Sequence, residues 1–410
     1  MPHTIVMIAT SYPRFEGDIV GTFMAPIAQG VAARGHEVHL VAPWHPAITR
    51  GAREGNVHFH FFRYAPVPSM NVFGYAGGLK ADVSLRAAAW LAAPLALAAG
   101  WRAARRVARE VGATVMHGHW VIPGGVIANY ARGDLPLVVS LHGSDVFVAE
   151  KHAVLGRLAH GVFHDAAQVT ACSADLAARA IRLGARAADT EVVPYGVDID
   201  RFAPDPSRRA DIRHRLGVAS DAPLLFAIGR FVKKKGFEYL IDAAAALATS
   251  HPSLTTVIGG DGDLAAEFRA RAAAHGLGDR VRFPGTLAHG DVAAWCAAAD
   301  VIGVPSVRDD AGNVDGLPNV VLEALASATP VVATPAGGIG QVITDGVNGR
   351  LVAERDVAAL AAALAGVLDS PDRGQALGQA ARAHVARHHG WARVAERMEA
   401  AYDAAARRPR

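Results

Sequence analysis

Two carboxylates bracketing a loop-to-helix junction are the residues of this chain best placed to do chemistry. Asp315 and Glu323 lie in VDGLPNVVLEA, with seven residues between them. An apolar strand ending at Val304 runs into a polar, glycine-containing loop. A short apolar helix is expected to start at Pro318, where a missing N–H costs nothing because the first helical amides have no intrahelical partner. Asp315 falls just ahead of that helix and Glu323 in its second turn. The backbone amides around Gly316 and Leu317 form an electropositive helix end suited to phosphate. From Leu317 to Glu323 the chain rises about 9 Å, the length of a diphosphate with a sugar at each end. The spacing therefore suits a nucleotide-sugar, with its ribose near Glu323 and its second sugar near Asp315. The alternative is a loop Asp and a helix Glu that share no ligand.

Arg230 and Lys235 lie in GRFVKKKGF, a loop leading from a strand into a helix with Gly236 at its start. Two fixed cations and a helix N-terminus can neutralise a departing diphosphate. Lys233 and Lys234 are expected to be solvated. Three histidines also fall at strand ends: His117 and His119 in HGHW, and His142 in HGSD. In a parallel α/β sheet that edge binds ligands. No carboxylate completes a metal set with these histidines. The two cysteines, Cys172 and Cys296, form no CxxC, which argues against zinc and for a reducing compartment.

The elements that must position these groups follow a βα rhythm. Thr4–Ala9 reads as a strand, SYPRFEGDIVGT as a loop, Phe23–Arg34 as a helix closed by Gly35, and His36–Ala42 as the next strand. That is a right-handed βαβ unit and implies a parallel sheet. Gly17 and Gly21 let the first loop approach a ligand closely. Further strands are expected at Thr114–His117, Leu137–Leu141 and Val169–Ser173, with Ser173 capping a helix. Residues 203–221 are polar, with Pro and Ser, and read as the domain boundary. The pattern then restarts with strands at Pro223–Gly229, Leu254–Ile258, Val281–Pro284, Val301–Val304 and Pro330–Thr334. The run GGDGDLAAEF is a poor match to a dinucleotide fingerprint. Helices close the chain over 356–369 and 371–388, before a final HHGWARVAERMEAAYDAAARRPR.

Residues 66–110 are loop-like to about Val83, then Ala-rich and helical, with Pro94 expected to kink or divide the helix. Their apolar run is about 17 residues, short of a membrane span. Arg102, Arg105, Arg106 and Arg109 share a face, read either as a solvated surface or as a docking surface for anionic lipid headgroups. At 410 residues there is room for two or three domains. With 51% hydrophobic and 19% charged residues the chain is globular. A net charge of +3 is too small to argue for nucleic acid, and suits an anionic ligand or membrane surface. The N-terminal MPHTIVMIATSYPR lacks the features of a signal peptide.

HGSD, PYGVD, GRFVKKKG and Asp315–Glu323, in this order along the chain, resemble the retaining glycosyltransferases of family 4. The resemblance covers nearly the whole chain. It implies an α/β GT-B fold: two Rossmann-like domains facing each other across a cleft, with a C-terminal helix crossing back to the first. The corresponding division is 1–205 for the acceptor, 206–387 for the nucleotide-sugar and 388–410 for the last helix. The family usually has Glu at both ends of the acidic pattern. Asp315 withdraws its carboxylate by about one C–C bond, roughly 1.5 Å, and Gln341 stands where Glu is frequent.

The function so implied is metal-independent, retaining transfer from a UDP- or GDP-sugar to a hydroxyl of a glycan, lipid-linked or small-molecule acceptor, with no cofactor. Polysaccharide or glycolipid assembly in the cytoplasm is the expected setting, with peripheral contact at the inner membrane surface through Arg102–Arg109. Arg230 and Lys235 would take the charge of the leaving diphosphate, Asp315 a sugar hydroxyl and Glu323 the ribose. His142 resembles the histidine that contacts the transferred sugar, and His117 and His119 resemble residues of the acceptor side. Gly21 resembles the glycine loop facing donor and acceptor. Phe283 and Thr286 flank a bend that offers backbone groups to the nucleobase. Asp145 either orients a histidine or binds acceptor. Asp198, Arg201 and Phe202 resemble an inter-domain element. Trp391 and Tyr402 are expected as packing anchors. The competing readings are a nucleotide-sugar-binding protein without turnover, and an epimerase or NAD oxidoreductase on a similar fold.

Overall fold

A computed structural model of the chain describes residues 2–408 apart from 19, 66–70, 72–73, 76–78, 81–83 and 86. The loop expected before residue 83 falls mostly outside the described residues. The strands are β1 (Thr4–Ile8), β2 (Glu37–Pro43), β3 (Arg53–Glu54), β4 (Val57–Phe62), β5 (Leu79–Lys80), β6 (Ser84–Leu85), β7 (Val115–His119) and β8 (Leu137–Leu141). They continue with β9 (Gln168–Ala171), β10 (Thr190–Val192), β11 (Leu224–Ile228), β12 (Thr255–Gly259), β13 (Val281–Arg282), β14 (Val301–Val304), β15 (Val331–Ala333) and β16 (Arg350–Leu351). The helices are α1 (Met24–Ala33), α2 (Ala87–Glu110), α3 (Val126–Ala131), α4 (Ser144–Lys151), α5 (Ala153–Asp165), α6 (Ala174–Arg182) and α7 (Pro206–Leu216). They continue with α8 (Phe237–Leu247), α9 (Ala265–Ala274), α10 (Val292–Ala298), α11 (Asn319–Ala326), α12 (Val357–Leu368), α13 (Pro371–His388) and α14 (Trp391–Arg407).

The chain forms two compact units, one up to Tyr195 together with the segment from Trp391, the other Gly196–Gly390. The first holds a sheet in the order β10-β9-β8-β7-β1-β2-β4-β3, parallel except at β3–β4. Its strands are continuous apolar runs, such as TIVMI and LVVSL, because helices cover a parallel sheet on both faces. The order reverses between β1 and β7, so the loops after these two strands share one crevice edge. The second unit holds β13-β12-β11-β14-β15-β16, all parallel. Here the reversal lies between β11 and β14. Each unit has its own core, with Met7, Leu40 and Val138 in the first, and Leu225, Ile258 and Leu364 in the second.

The division differs from one near residue 205. The polar run 203–221 is not the boundary but carries α7, capped by the Asp205 side chain, with Pro206 in its first turn and left-handed Gly217 ending it. Its Arg213 is 3% exposed and bonds the carbonyls of Ala219 and Ala298 and the Asp300 carboxylate. These contacts bind α7 into the second unit. Pro94 does not divide α2, which runs as one helix through it. The strand β4 and the helices α4 and α5 had no counterpart in the sequence reading.

α14 closes the first unit. Tyr402 is fully buried, and its hydroxyl lies 2.9 Å from His117 Nδ1. Trp391 packs more peripherally against the same core. His3 reaches Asp403 at 3.0 Å, and Arg34 and His36 both reach Glu399. Tyr402→Phe keeps the ring but strands a buried ring nitrogen, so it is expected to cost about 1–3 kcal/mol, readable as a lower urea midpoint with an unchanged m-value.

Candidate active site

The switch point of the second unit gathers the charged residues. β11 ends at Ile228, and the following segment carries Arg230 and a 3-10 turn over Lys233–Lys235. Gly236, at φ +65°, then starts α8, and a Cβ there would lie 2.0 Å from the Pro305 carbonyl oxygen. Only glycine fits so close an approach. The contact locks the β11 loop to the β14 loop, as does the bond from Val307 N–H to the Lys234 carbonyl at 2.9 Å.

Asp315 sits at this junction. Lys234 Nζ lies 2.9 Å from one carboxylate oxygen and Lys235 Nζ 2.6 Å from the other. All three side chains are at most 17% exposed. Burial pushes the Asp315 carboxyl up, but the two ammonium groups outweigh it and hold the group well below the usual carboxylate range. Lys233 alone of the three is solvated, in an exposed pair with Glu267. Lys234 is thus a site residue, contrary to the expectation that it is solvated. The 3-10 turn, which the run KKK does not announce, directs it inward. Burial lowers the pKa of the Arg230 guanidinium, with the fields of Asp315 and Asp263 pulling the other way.

The helix after the loop begins at Asn319, with Pro318 as its extended cap residue, one position later than expected. Gly316 and Leu317 therefore precede the helix. The Gly316 carbonyl accepts from Gly338 N–H at 2.6 Å. Gly337, at φ +61°, has no room for a Cβ, which would meet the Asp315 carbonyl oxygen at 1.9 Å. Leu317 is 5% exposed, so it offers backbone rather than side chain. Glu323 keeps part of its surface accessible. Burial raises its carboxyl from 4.5 to about 7, with Arg201 pulling the other way. Arg201 is held by the backbone and ring of His289, and this neighbour of Glu323 was expected only as a junction residue. Phe283 packs edge-on to Phe231 and under Arg269, and Thr286 is exposed. Both follow β13 at the same sheet edge.

The switch point of the first unit holds a neutral histidine network. His119 Nδ1 lies 3.0 Å from His142 Nε2, and His142 Nδ1 lies 2.9 Å from the Tyr195 hydroxyl. His117 bridges Tyr402 and Ser140, which in turn reaches Thr170. Burial lowers His119 to about 3, and burial with neighbouring rings drives His117 and His142 well below their ordinary value. All three are therefore uncharged at neutral pH. Both nitrogens of His142 are engaged in the network, so a sugar hydroxyl reaches one only by displacing Tyr195 or His119. Phe23, Trp120 and Tyr195 close around the His142 ring at centroid distances of 4.7, 4.8 and 5.8 Å, an aromatic wall absent from the sequence reading. Asp145 reaches no histidine: it accepts from Val121 N–H at 2.5 Å and Gly143 N–H at 3.3 Å. Gly21 packs on Ser11, whose Oγ a Cβ would meet at 3.0 Å.

Comparison with known proteins adds to this geometry. Residues 208–384 match the family model described as "Glycosyl transferases group 1", and residues 20–201 match "Glycosyltransferase Family 4". A GDP-mannose-dependent alpha-(1-6)-phosphatidylinositol monomannoside mannosyltransferase of Mycolicibacterium smegmatis is 33% identical over 288 residues, 68% of this chain and 74% of the relative. A D-inositol 3-phosphate glycosyltransferase of Kribbella flavida is 35% identical over 310 residues, 70% of each chain. Among solved structures, Anabaena HepE in complex with UDP aligns with a TM-score of 0.75 at 22% identity, over 97% of this chain and 98% of that one. Sucrose-phosphate synthase from Thermosynechococcus elongatus aligns at 0.77 with 21% identity, over 98% of each. At such identities these structures speak for the fold.

Proposed function

The chain belongs to the group 1 glycosyltransferases, family 4, and is a glycosyltransferase of the GT-B fold; from that premise we propose that it moves a sugar from a UDP- or GDP-sugar to an acceptor hydroxyl with retention of anomeric configuration and without an essential metal. The observation that carries this reading is the placement of Asp315 between Lys234 and Lys235 at the β11–β14 switch point. A diphosphate arriving there meets two ammonium groups and Arg230. These stabilise charge where it develops, on the leaving group, and so act on the transition state. They supply the positive charge that a divalent ion would otherwise bring. As lysine turns to phosphate, Asp315 is freed to hold a hydroxyl of the transferred sugar and to brace the electron-poor anomeric carbon. Glu323 takes the ribose hydroxyls. The departing phosphate oxygen receives the acceptor proton on the same face, so no separate general base is required.

Several relatives are named for GDP-mannose, and the Anabaena protein was solved with UDP, so these two nucleotides are the donors to try first. The phosphatidylinositol mannoside named for relatives favours a lipid-linked acceptor, with the aromatic wall around His142 lining the acceptor's side. The decisive assay incubates the protein with UDP- and GDP-hexoses and lipid-linked acceptors and reads the new anomeric centre by NMR. Retention with full activity in EDTA is expected; inversion, or loss of transfer in EDTA, contradicts the reading.

Peripheral contact with an anionic membrane belongs to the same proposal. No helix among the described residues is long and apolar enough to cross a membrane. On α2, Arg102, Arg106 and Arg109 are exposed beside Leu91 and Leu95, which are 83% and 56% exposed. Near them Trp101, Tyr130 and Leu158 line an apolar groove of about 430 Å³. At roughly 1 kcal/mol per basic residue near an anionic surface, the double variant Arg102→Glu/Arg109→Glu is expected to weaken co-sedimentation with phosphatidylglycerol vesicles at least ~10-fold. Equal co-sedimentation would remove α2 from the account.

A further inference from the structure

A second cluster lies in the first unit, towards the opposite end of the sheet from the carboxyl ends of β1 and β7, where Gly21 and His119 lie. Glu37 and His39 are two apart on β2, and His58 and His60 are two apart on β4. The strands are parallel, with His39 beside His58 and Val41 beside His60. A period of two places all four side chains on one face. Glu37 Oε1 lies 3.3 Å from His39 Nε2 and 3.3 Å from His58 Nε2. The three ligand atoms all lie within 4.8 Å of one another.

Two further observations point to a ligand. His39 is 4% exposed, and the contact of its Nε2 with Glu37 falls short of hydrogen-bond geometry, leaving that atom buried with Glu37 and His58 in front of it. Its other nitrogen, Nδ1, lies 3.1 Å from His60 Nε2. If Nδ1 donates to His60, the Nε2 lone pair is left facing Glu37 and His58. That is the arrangement in which a metal-bound imidazole is oriented by a hydrogen bond from its second nitrogen.

We propose that Glu37, His39 and His58 form a binding site for a divalent transition metal, with His60 orienting His39. Two imidazoles and one carboxylate suit zinc, and also copper or nickel, better than magnesium or calcium. Both edges from Glu37, at 3.3 Å, already match the roughly 3.3 Å edge of a tetrahedral site with bonds near 2 Å, and the third lies within 4.8 Å. Glu37 is the half-exposed member and gives the ion its entry. The ion clamps β2 to β4 and takes no part in sugar transfer.

The test uses untagged full-length protein stripped with EDTA and titrated with Zn²⁺ by calorimetry, with Co²⁺ as a spectroscopic probe. One Zn²⁺ per chain, a higher Tm, and the visible absorption of tetrahedral Co²⁺ are expected. His58→Asn and Glu37→Gln, at positions with more exposed side chains than His39, should each weaken binding more than ~10-fold. Their Tm in EDTA and their transferase activity should match wild type. Absence of Zn²⁺ binding to the wild type, or binding undiminished in both variants, overturns the proposal.

Discussion

Lys235→Ala is expected to lower kcat by about 10²–10³-fold, the loss typical of removing one preorganised stabiliser of developing charge, ~2.7–4 kcal/mol. Folding should suffer less. The side chain is 17% exposed, and its partner Asp315 keeps Lys234 at 2.9 Å, so the carboxylate is not left as an isolated buried charge, the case that makes broken pairs so costly. A stability loss of about 1–2 kcal/mol is therefore expected, against the larger effect on turnover. Lys233→Ala is the control, because that lysine is solvated and its pair with Glu267 is exposed, an arrangement worth ~0–1 kcal/mol. Steady-state kinetics on both variants decides: equal activities would remove Lys235 from the site.

Glu323→Gln should weaken nucleotide binding and stabilise the fold. The wild-type carboxyl titrates at about 7 rather than 4.5 because it is buried. Below pH 4.5 the group is protonated in both folded and unfolded chains and makes no difference. Between 4.5 and 7 the unfolded chain loses its proton while the folded chain keeps it, so the folded state loses ground as pH rises. Above 7 the whole penalty is in place. It amounts to about 1–3 kcal/mol after allowance for the accessible part of the side chain. Urea denaturation should therefore show the Gln variant more stable than wild type at pH 8, with the difference closing towards pH 4.5. Its affinity for the nucleoside diphosphate should fall about 10–100-fold, the worth of hydrogen bonds to a charged acceptor. A variant that binds as tightly as wild type would show that Glu323 does not hold ribose.

The second unit was the more legible in sequence. Its strands are apolar runs ended by Gly or Pro, and the order of its loops, with Arg230 and Lys235 after one strand and Asp315 after another, carried the site. The interior role of Lys234 was not readable, because a run of three lysines has no periodicity and only the 3-10 turn separates the buried one from its neighbours. Arg201 was hidden in the same way, since its effect on Glu323 depends on tertiary contact. α7 was legible from its Asp205 and Pro206 start and Gly217 stop, yet the polar composition pointed to a domain boundary. In the first unit, His117 meets Tyr402 across 285 residues of sequence, a contact no local pattern announces. The alternation in VHFHFF was a strand signal, and with it β4 and the His39–His58 pairing would have been within reach.

The central claim is that a nucleoside diphosphate binds at the β11–β14 switch point. Thermal unfolding of wild type and Lys235→Ala with UDP and with GDP tests it most directly. A ligand at a hundred times its dissociation constant stabilises a fold by about 2.7 kcal/mol. A clear rise in Tm of the wild type with at least one of the two nucleotides, much reduced in the variant at the same concentration, is the predicted result. No rise with either nucleotide, or the same rise in both proteins, would contradict the site.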